Sequence, residues 1–367
     1  MIEIAELACD LVPGPRPAAV VRARAASGAV GVGEATPLAG RSADTTADVE
    51  IAVAGLGRAL PLTLSPRRPL EAIAELAATA APAAPAARFA IETALLDVVA
   101  RATGRSLARV LAAQPAASVP LNALVATADE AAAAVARGIT CVKVKTHTDF
   151  ERDHARVAAI ATAVGRGAVR VDANQRWPLA TVRRRLVALA ALGVEYVEEP
   201  AVGLAPSLRW VMPCPIALDE SLAVADVDGW LDRALASGAI AAIVLKPALL
   251  GGLTRCLALA GRARAAGVAA VVTHSLDGPV ATAAACELAL ALGATRPVGL
   301  DRHPGLDDWP GLDVPQLAAA AVVDRRAPGL GIDPAAVARA VAARAGAPAE
   351  EQPAAPTVPV ARAGTPW

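Results

Sequence analysis

The sequence predicts an α/β protein: a (β/α)8-type barrel, of the modified TIM-barrel kind, with an N-terminal α+β capping domain. Two observations carry this prediction. Five charged residues recur at intervals of 21 to 27 residues, namely Lys145, Asp172, Glu198, Asp219 and Lys246. Each closes or follows a short aliphatic or β-branched run, and a helix-length stretch separates each run from the next. Strands that alternate with helices in this way form a parallel barrel, in which the ends of all strands point toward one common mouth.

The barrel is predicted to occupy residues 116–301. Eight strand candidates fit this range, beginning near residues 119, 139, 168, 194, 215, 239, 268 and 297. The segments between them contain stretches of helical length, such as 151–165 and 253–267. A barrel of this kind takes about 250 residues, so a chain of 367 residues leaves room for a second, smaller domain.

Residues 1–115 do not follow the barrel rhythm and are predicted to form the capping domain. Three strands are indicated between residues 2 and 38, with a Ser-Gly turn between the last two. Helical stretches follow, and one of them, 87–104, has an apolar stripe at helical spacing. We expect residues 302–345 to pack back on the cap or the barrel. The Pro- and Ala-rich residues 346–367 are expected to be a disordered tail.

The composition excludes several classes of partner. The 35 basic and 35 acidic residues balance, which gives no electrostatic reason to expect nucleic acid or an anionic membrane. The five cysteines are scattered without a CxxC pair, so neither a disulfide framework nor a zinc site is indicated. Aromatic residues make up 2% and hydrophobic residues 55%, so the core must rely on Ala, Val and Leu and on close helix–strand approach. No secretory signal or bilayer-spanning run is indicated, and we expect a cytoplasmic protein.

Three acidic residues follow successive strands of the predicted barrel: Asp172 in DAN, Glu198 in EEP and Asp219 in LDES. Three carboxylates in one mouth repel each other unless a cation lies among them. Oxygen-only ligands suit a hard ion, so we expect Mg²⁺ as the cofactor, with Mn²⁺ as a substitute. Of the two glutamates in EEP, Glu198 is the expected metal ligand. Glu199 is expected to support the ligands without binding the metal itself. The alternative is that each acid caps the following helix or pairs with an arginine.

Lysines flank these acids on two sides of the barrel. Lys143 and Lys145 alternate with valine in VKVK, so both side chains are expected on the same side of the second strand. Lys246, in LKP, comes from the sixth strand and would face Lys145 across the mouth. Lysine is almost never fully buried without a partner. The alternatives are that Lys143 and Lys145 only form salt bridges with the metal carboxylates, and that Lys246 only reaches solvent.

A base, an opposed ammonium and a metal ion together define one task, which is the removal of a proton next to a carboxylate. This step produces an enediolate with two negative oxygens, which a divalent cation stabilises. We expect Lys145 to be the base, because Lys143 and the metal would lower its pKa. A shift of this pKa from about 10.4 to about 7.5 corresponds to about 4 kcal/mol.

The motifs VKVK, DAN, EEP, LDES and LKP followed by GG resemble those of the enolase superfamily, in particular its muconate-lactonizing branch. The resemblance covers residues 1 to about 300 and, less clearly, to about 335. It implies a small-molecule carboxylate substrate, with Lys145 and Lys246 as the catalytic pair beside the metal. Residues expected to contact the substrate or to support these groups are Lys143, Asn174, Glu199 and Ser275.

The mandelate-racemase branch of the same superfamily uses a His–Asp pair instead of two lysines. His274 follows the seventh strand, but Lys246 stands on the sixth strand, where that branch has its aspartate. We therefore expect His274 to be a structural hydrogen-bond donor and not the base.

Within the branch, the cap segment GVGEATPLAGRSADT (31–45) resembles that of o-succinylbenzoate synthases. This resemblance implies dehydration of 2-succinyl-6-hydroxy-2,4-cyclohexadiene-1-carboxylate to o-succinylbenzoate, a step of menaquinone biosynthesis. Lys145 would remove the proton beside the ring carboxylate and deliver it to the departing hydroxyl. Lys246 would stabilise the planar anion from the opposite face, as in a cation–π contact.

Two segments depart from this pattern. The loop PGPRP (13–17) is short and lacks aromatic residues, and THSLDGPV (273–280) is not the expected seventh-strand sequence. PGLGID (328–333) favours dipeptide epimerases or N-acylamino-acid racemases, which use the same two lysines as opposed acid and base, and these are the alternative. Outside the superfamily, Lys246 could serve a Schiff-base aldolase without a metal, or the barrel could be a non-catalytic module. A homo-oligomer is compatible with each of these.

Overall fold

The structure is a computed structural model that describes residues 1–147, 149–165, 167–209, 211–294 and 296–346. It contains an antiparallel sheet near the N-terminus and a parallel sheet in the rest of the chain. The predicted fold class, a barrel with an α+β cap, is confirmed. The predicted tail, 346–367, lies outside the described residues except for Gly346.

The cap is built on a four-stranded antiparallel sheet, formed by β1 (Ile2–Val12), β2 (Ala18–Ala25), β3 (Val30–Ala35) and β4 (Leu62–Leu64). Their spatial order is β3-β2-β1-β4. The first three strands were predicted. The edge strand β4 was not, because three residues are too few to show an alternating pattern. The helices of the cap are α1 (Thr46–Gly57), α2 (Pro69–Ala80) and α3 (Pro85–Ala102).

Two glycines let α3 lie directly on the cap sheet. A Cβ atom on Gly33 would lie 2.0 Å from the carbonyl oxygen of Ala90, and one on Gly31 would lie 2.2 Å from that of Ala94. No side chain fits in this space, so the helix backbone packs against the strand backbone. The close helix–strand approach that the aromatic-poor composition predicts is realised at this contact.

The barrel is built on seven parallel strands whose order in space follows their order in the chain. After α4 (Leu107–Leu111) and the short strand β5 (Ser118–Pro120), they are β6 (Asn122–Leu124), β7 (Cys141–Lys145), β8 (Val169–Asp172), β9 (Tyr196–Glu198), β10 (Ile216–Leu218), β11 (Ile240–Leu245) and β12 (Ala269–Val272). Val298 and Gly299 close the ring, because Val298 bridges to Leu121 beside β6 and Gly299 bridges to Thr273 after β12. These eight positions match the eight predicted strand candidates.

The helices of the remaining chain are α5 (Ala128–Ala136), α6 (Phe150–Val164), α7 (Val182–Leu192), α8 (Val227–Ala236), α9 (Pro247–Leu250), α10 (Leu253–Ala265), α11 (Pro279–Leu292), α12 (Pro304–Asp307) and α13 (Pro334–Ala345). Within the described part of the chain, none is long and apolar enough to cross a membrane.

The C-terminal segment contacts both parts of the molecule. Its strand β13 (Ala321–Val323) pairs antiparallel with β5 at the barrel. Its helix α13 lies on the cap strands β1 and β3, where Arg344 donates a hydrogen bond to the carbonyl oxygen of Pro13 at 3.0 Å. Residues 302–345 therefore tie cap and barrel together.

Strand register sets the site. Lys145 lies opposite Asp172 in the β7–β8 ladder, and Asp172 lies opposite Glu198 in the β8–β9 ladder. Because these strands are parallel and end at the same level, their terminal side chains form one charged row at the carboxyl end of the barrel.

Candidate active site

A cavity of about 550 Å³ lies at the carboxyl ends of the barrel strands. All three lysines that the motifs single out and the acid Asp172 line it. The seventh and eighth strand positions and the cap add His274, Ser275, Asp301, Arg302, His303, Leu38 and Arg41. The carboxyl end of a barrel is where side chains from different strands converge, so the cavity is the natural candidate for an active site.

Lys143 bridges two of the predicted metal ligands. Its Nζ lies 3.2 Å from Asp172 Oδ2 and 3.1 Å from Glu198 Oε1. Burial disfavours the ammonium, but the charges of Glu198 and Asp172 outweigh it and raise the pKa of Lys143 well above its ordinary value. Burial also works against the Asp172 carboxylate, yet Lys143 and Lys145 lower its pKa. The pKa of Glu198 is raised, because burial and the neighbouring charge of Asp172 outweigh Lys143.

Lys246 makes a second ion pair, with Asp219. Burial disfavours its charge, but Asp219 and then Glu198 raise its pKa above the ordinary lysine value. Lys246 is therefore held as an ammonium at neutral pH.

Lys145 differs from both. Its side chain makes no ion pair or hydrogen bond within the described ranges, and it is the more exposed of the two lysines of β7. Burial lowers its pKa, and the positive charges of Lys143, Arg41 and Lys246 lower it further, against the opposing effect of Asp172. Of the three ammonium groups, this one loses its proton most easily.

The chain contains no lysine besides Lys143, Lys145 and Lys246. Every other basic side chain, apart from four histidines, is an arginine. Arginine can replace lysine in surface ion pairs, but its guanidinium does not deprotonate in proteins and cannot act as a base. The restriction of lysine to this cavity is a further sequence signal for the site.

Glu199 and Asn174 hold the neighbouring acids in place. Glu199 Oε1 accepts hydrogen bonds from the backbone N–H groups of Asp219 and Ser221, both at 2.8 Å. The backbone N–H of Asn174 donates to Asp172 Oδ1 at 3.0 Å, and its side-chain amide donates to Glu220 Oε1 at 3.2 Å. Both residues have positive φ angles, 40° for Glu199 and 44° for Asn174. Such strained backbone often marks functional sites.

The predicted metal ligands do not surround a common point as they are arranged here. Across the described residues, no three His, Cys, Asp or Glu side chains are placed to hold one ion. In this arrangement Lys143 and Lys246 provide the counter-charge of the three acids. The donor set still fits a hard divalent cation: Asp172, Glu198 and Asp219 are buried oxygen donors on consecutive strands. Next to them, Glu220 Oε2 is buried without a hydrogen-bond partner among the described residues, so the cluster has unsatisfied acceptor capacity.

The structure adds site residues that sequence reasoning missed. Arg41 comes from the cap and lies 3.8 Å from Glu220, and Gln175 donates to Glu199 Oε2 at 3.0 Å. Gln175 directly follows DAN and Glu220 lies inside LDES, so proximity to the motifs could have indicated both. Arg41 lies in the cap segment 31–45 that carries the resemblance, but neither it nor His303 was singled out, because their position depends on how the cap and the eighth strand position meet the mouth.

The segment PGLGID lies away from this cavity, against the cap. Its Leu330 donates a backbone hydrogen bond to Asp97 Oδ1 at 2.7 Å, and Leu107 donates one to the carbonyl oxygen of Gly329 at 2.8 Å. The described contacts of this segment are structural, and it does not line the cavity.

The fold and the site together define an enzyme of the capped-barrel type with a lysine–carboxylate mouth. Comparison with known families agrees. Residues 14–112 match the mandelate racemase / muconate lactonizing enzyme N-terminal domain, and residues 126–338 match the enolase C-terminal domain-like family. The chain therefore belongs to the mandelate racemase / muconate lactonizing enzyme family of the enolase superfamily, in the muconate-lactonizing branch. Members of this superfamily use Mg²⁺.

Curated relatives have several activities. The chain is 31% identical over 219 residues to muconate cycloisomerase 1 of Rhodococcus opacus, covering 56% of this chain and 58% of that protein. It is 36% identical over 184 residues to the o-succinylbenzoate synthase of Thermobifida fusca, covering 48% and 56%. It is 31% identical over 229 residues to an L-Lys-D/L-Arg epimerase of Methylococcus capsulatus, covering 59% and 63%. The matches thus span less than two thirds of these relatives.

Solved structures match over nearly their whole length. A muconate lactonizing enzyme from Klebsiella pneumoniae superimposes with a TM-score of 0.76 at 27% identity, covering 90% of this chain and 96% of that one. A dipeptide epimerase from Methylococcus capsulatus, complexed with an Mg ion, superimposes with a TM-score of 0.74 at 27% identity, covering 90% and 99%. The relatives agree on fold and family but differ in reaction.

Proposed function

We propose that the protein is an Mg²⁺-dependent o-succinylbenzoate synthase, which dehydrates 2-succinyl-6-hydroxy-2,4-cyclohexadiene-1-carboxylate in menaquinone biosynthesis. The observation that carries this proposal is the asymmetry of its two candidate catalytic lysines. Lys145 has no ionic partner in the described residues and a lowered pKa, whereas Lys246 is paired with Asp219 and has a raised pKa.

A syn dehydration requires this asymmetry. One lysine must remove a proton and return it to the departing hydroxyl, and a lowered pKa suits it for both steps near neutral pH. The other lysine needs only to remain positively charged. An epimerase that works with two opposed lysines must exchange a proton with each, and a raised pKa makes Lys246 less suited than Lys145 to giving up its proton.

The roles of the residues follow. Lys145 removes the proton from the carbon that bears the ring carboxylate and delivers it to the hydroxyl on the neighbouring carbon, which leaves as water. Lys246 keeps its charge beside the planar anion and stabilises it. Asp172, Glu198 and Asp219 would hold Mg²⁺, with Glu199 orienting the Asp219 backbone. When bound, the ion supplies positive charge that stabilises the carboxylate oxygens of the anion.

A second candidate is a dipeptide epimerase or N-acylamino-acid racemase. Lys145 and Lys246 line the same cavity, as an opposed acid–base pair would. Two relatives that are named as epimerases also support this candidate. One is the L-Lys-D/L-Arg epimerase, and the other is a hydrophobic dipeptide epimerase of Roseobacter litoralis that is 34% identical over 162 residues. The segment PGLGID gives no further support, since it is held by Asp97 and does not line the cavity.

The test is a product assay in deuterated water with Mg²⁺ and the purified chain. We expect the cyclohexadiene substrate to yield o-succinylbenzoate, seen by chromatography and by its aromatic proton signals. Dipeptides and N-succinylamino acids, incubated in parallel, should gain no deuterium at the α-carbon, and cis,cis-muconate should not cyclise. Deuterium wash-in to a chiral amide without dehydration would establish the second candidate, and lactone formation would establish a muconate cycloisomerase.

A further inference from the structure

The loop after β12 fixes the ring of His274 in one tautomer. His274 Nδ1 accepts a hydrogen bond from the backbone N–H of Leu276 at 3.0 Å. Leu276 has a φ of 61°, a conformation that leucine rarely adopts. A backbone N–H always carries its hydrogen, so Nδ1 must present a lone pair, and the hydrogen of the neutral ring resides on Nε2.

The neighbouring groups keep this ring neutral and in place. It stacks on His303 with ring centroids 3.6 Å apart and an interplanar angle of 16°, a geometry that two imidazolium ions would oppose. Burial lowers the pKa of His274 well below its ordinary value, and His303 and Lys143 lower it further. Burial, together with Arg16 and Arg302, lowers the pKa of His303 to about 4.

The nitrogen that carries the hydrogen is free to bind a ligand. His274 lines the cavity, and its Nε2 makes no hydrogen bond to any residue that the structure describes. Ser275 also lines the cavity, and its hydroxyl is buried without a partner in the described part of the chain. A buried hydroxyl is costly unless something binds it, and the Nε2–H donor of the half-buried His274 belongs to the adjacent residue of the same cavity wall.

We propose that His274 Nε2–H and the Ser275 hydroxyl bind an uncharged carbonyl oxygen of the substrate and so select carboxylates that carry a ketone or amide carbonyl. A donor that stays neutral is suited to an uncharged oxygen, whereas a second carboxylate would be attracted to Arg41 or Arg302, which line the same cavity. The identity of the ligand rests on the proposed function, in which this oxygen is the ketone of the succinyl chain.

The test compares two ligands that differ only in the carbonyl. With Mg²⁺ present, calorimetry measures the binding of o-succinylbenzoate and of its deoxo analogue, 2-(3-carboxypropyl)benzoate, which keeps both carboxylates. We expect the wild-type protein to bind the ketone about tenfold more tightly. His274→Phe keeps the stacking surface but lacks the donor, so most of this preference should disappear. Ser275→Ala should lose part of it, and His154→Phe, on α6 outside the cavity, should keep it.

A second measurement needs no variant. The chain has four histidines, so ¹⁵N–¹H correlation of histidine-labelled wild-type protein resolves each ring, and His274 should carry its proton on Nε2 at pH 7. A proton on Nδ1, or an unchanged ketone preference in His274→Phe, would overturn the inference while dehydratase activity left the proposed function intact. If the wild-type protein neither dehydrated the substrate nor bound either compound, both proposals would fail together.

Discussion

Glu34 Oε2, on the cap strand β3, accepts a hydrogen bond at 3.0 Å from the backbone N–H of Val280, in the first turn of the barrel helix α11. Glu92, on α3 of the cap, does the same for α10, where Leu253 donates at 2.7 Å. The first N–H groups of a helix lack partners within the helix and favour negative charge. Buried cap carboxylates therefore satisfy the N-termini of two barrel helices, which fixes the cap over the mouth.

The Glu34 contact predicts a pH-dependent stability. Burial raises the pKa of Glu34 to about 7 in the folded protein, from about 4.5, and this carboxyl interacts electrostatically with Asp277 and Arg344. The folded state thus prefers the protonated form. The contribution of Glu34 to the free energy of unfolding is complete below about pH 4.5 and is lost as the pH rises through 7. This loss amounts to about 3 kcal/mol.

Glu34→Gln resembles the protonated acid and should remove this dependence. Relative to wild type, the free energy of unfolding of the variant should increase between pH 5 and pH 8, as measured by urea unfolding. Glu75→Gln, at an exposed position of α2, is the control and should follow wild type. Parallel curves for Glu34→Gln and wild type would show that this carboxyl does not titrate in the range.

One glycine of β3 and one of α10 predict opposite outcomes for the same substitution by alanine. Gly33→Ala would place a Cβ atom 2.0 Å from a backbone oxygen of α3, and neither backbone can move cheaply, so we expect a loss of about 3 kcal/mol. Gly261→Ala, on the exposed face of α10 with nothing nearby, should stabilise by about 0.5–1 kcal/mol, because alanine favours the helix. Thermal unfolding of both variants tests this, and equal effects would contradict the close approach.

The spacing of the charged motifs predicted the barrel well, because these residues recur at the ends of successive strands. Asp172 and Glu198 end neighbouring parallel strands, so a repeat in the sequence becomes adjacency in space. The sequence left open whether Lys143 pairs with the carboxylates, as it does with Asp172 and Glu198, and it did not predict the position of Arg41. The contacts of Lys143 depend on which of three neighbouring carboxylates its ammonium reaches. The position of Arg41 depends on how the cap docks on the barrel. Glu34 lies in the cap segment that the family resemblance singles out, yet its described contacts join the domains.

The three lysines predict an unusual titration. Protein labelled with [¹³C]lysine should show only three side-chain Cε signals, because the chain has only three lysines. In protein without added metal, the Lys145 signal should titrate below the ordinary value of about 10.4, and those of Lys143 and Lys246 above it. Activity should rise with pH as Lys145 loses its proton. Three superimposed titrations would remove the electrostatic basis of the proposed base.

Lys145→Ala should abolish turnover without unfolding the protein. The side chain makes no described ion pair or hydrogen bond, so its loss should leave the unfolding midpoint and Mg²⁺ affinity nearly unchanged. The rate should fall by about 10³-fold or more, since general-base catalysis contributes about 10²–10⁴. Arg152→Ala, on the exposed surface of α6, controls for removal of a charge. A near-normal rate in Lys145→Ala would exclude this residue from the mechanism.

Asp219→Asn should weaken Mg²⁺ binding by about 100-fold in calorimetry, because a neutral amide lacks the charge that a hard cation prefers. The same substitution removes the ionic partner of Lys246, so the pKa of Lys246 should fall in the lysine titration. The two readouts separate a ligand from a mere ion-pair partner. A lower pKa of Lys246 with unchanged Mg²⁺ affinity would assign the third ligand elsewhere, and the unpaired carboxylate oxygen of Glu220 would then be the first to test. Asp129→Asn, exposed on α5, should change neither value.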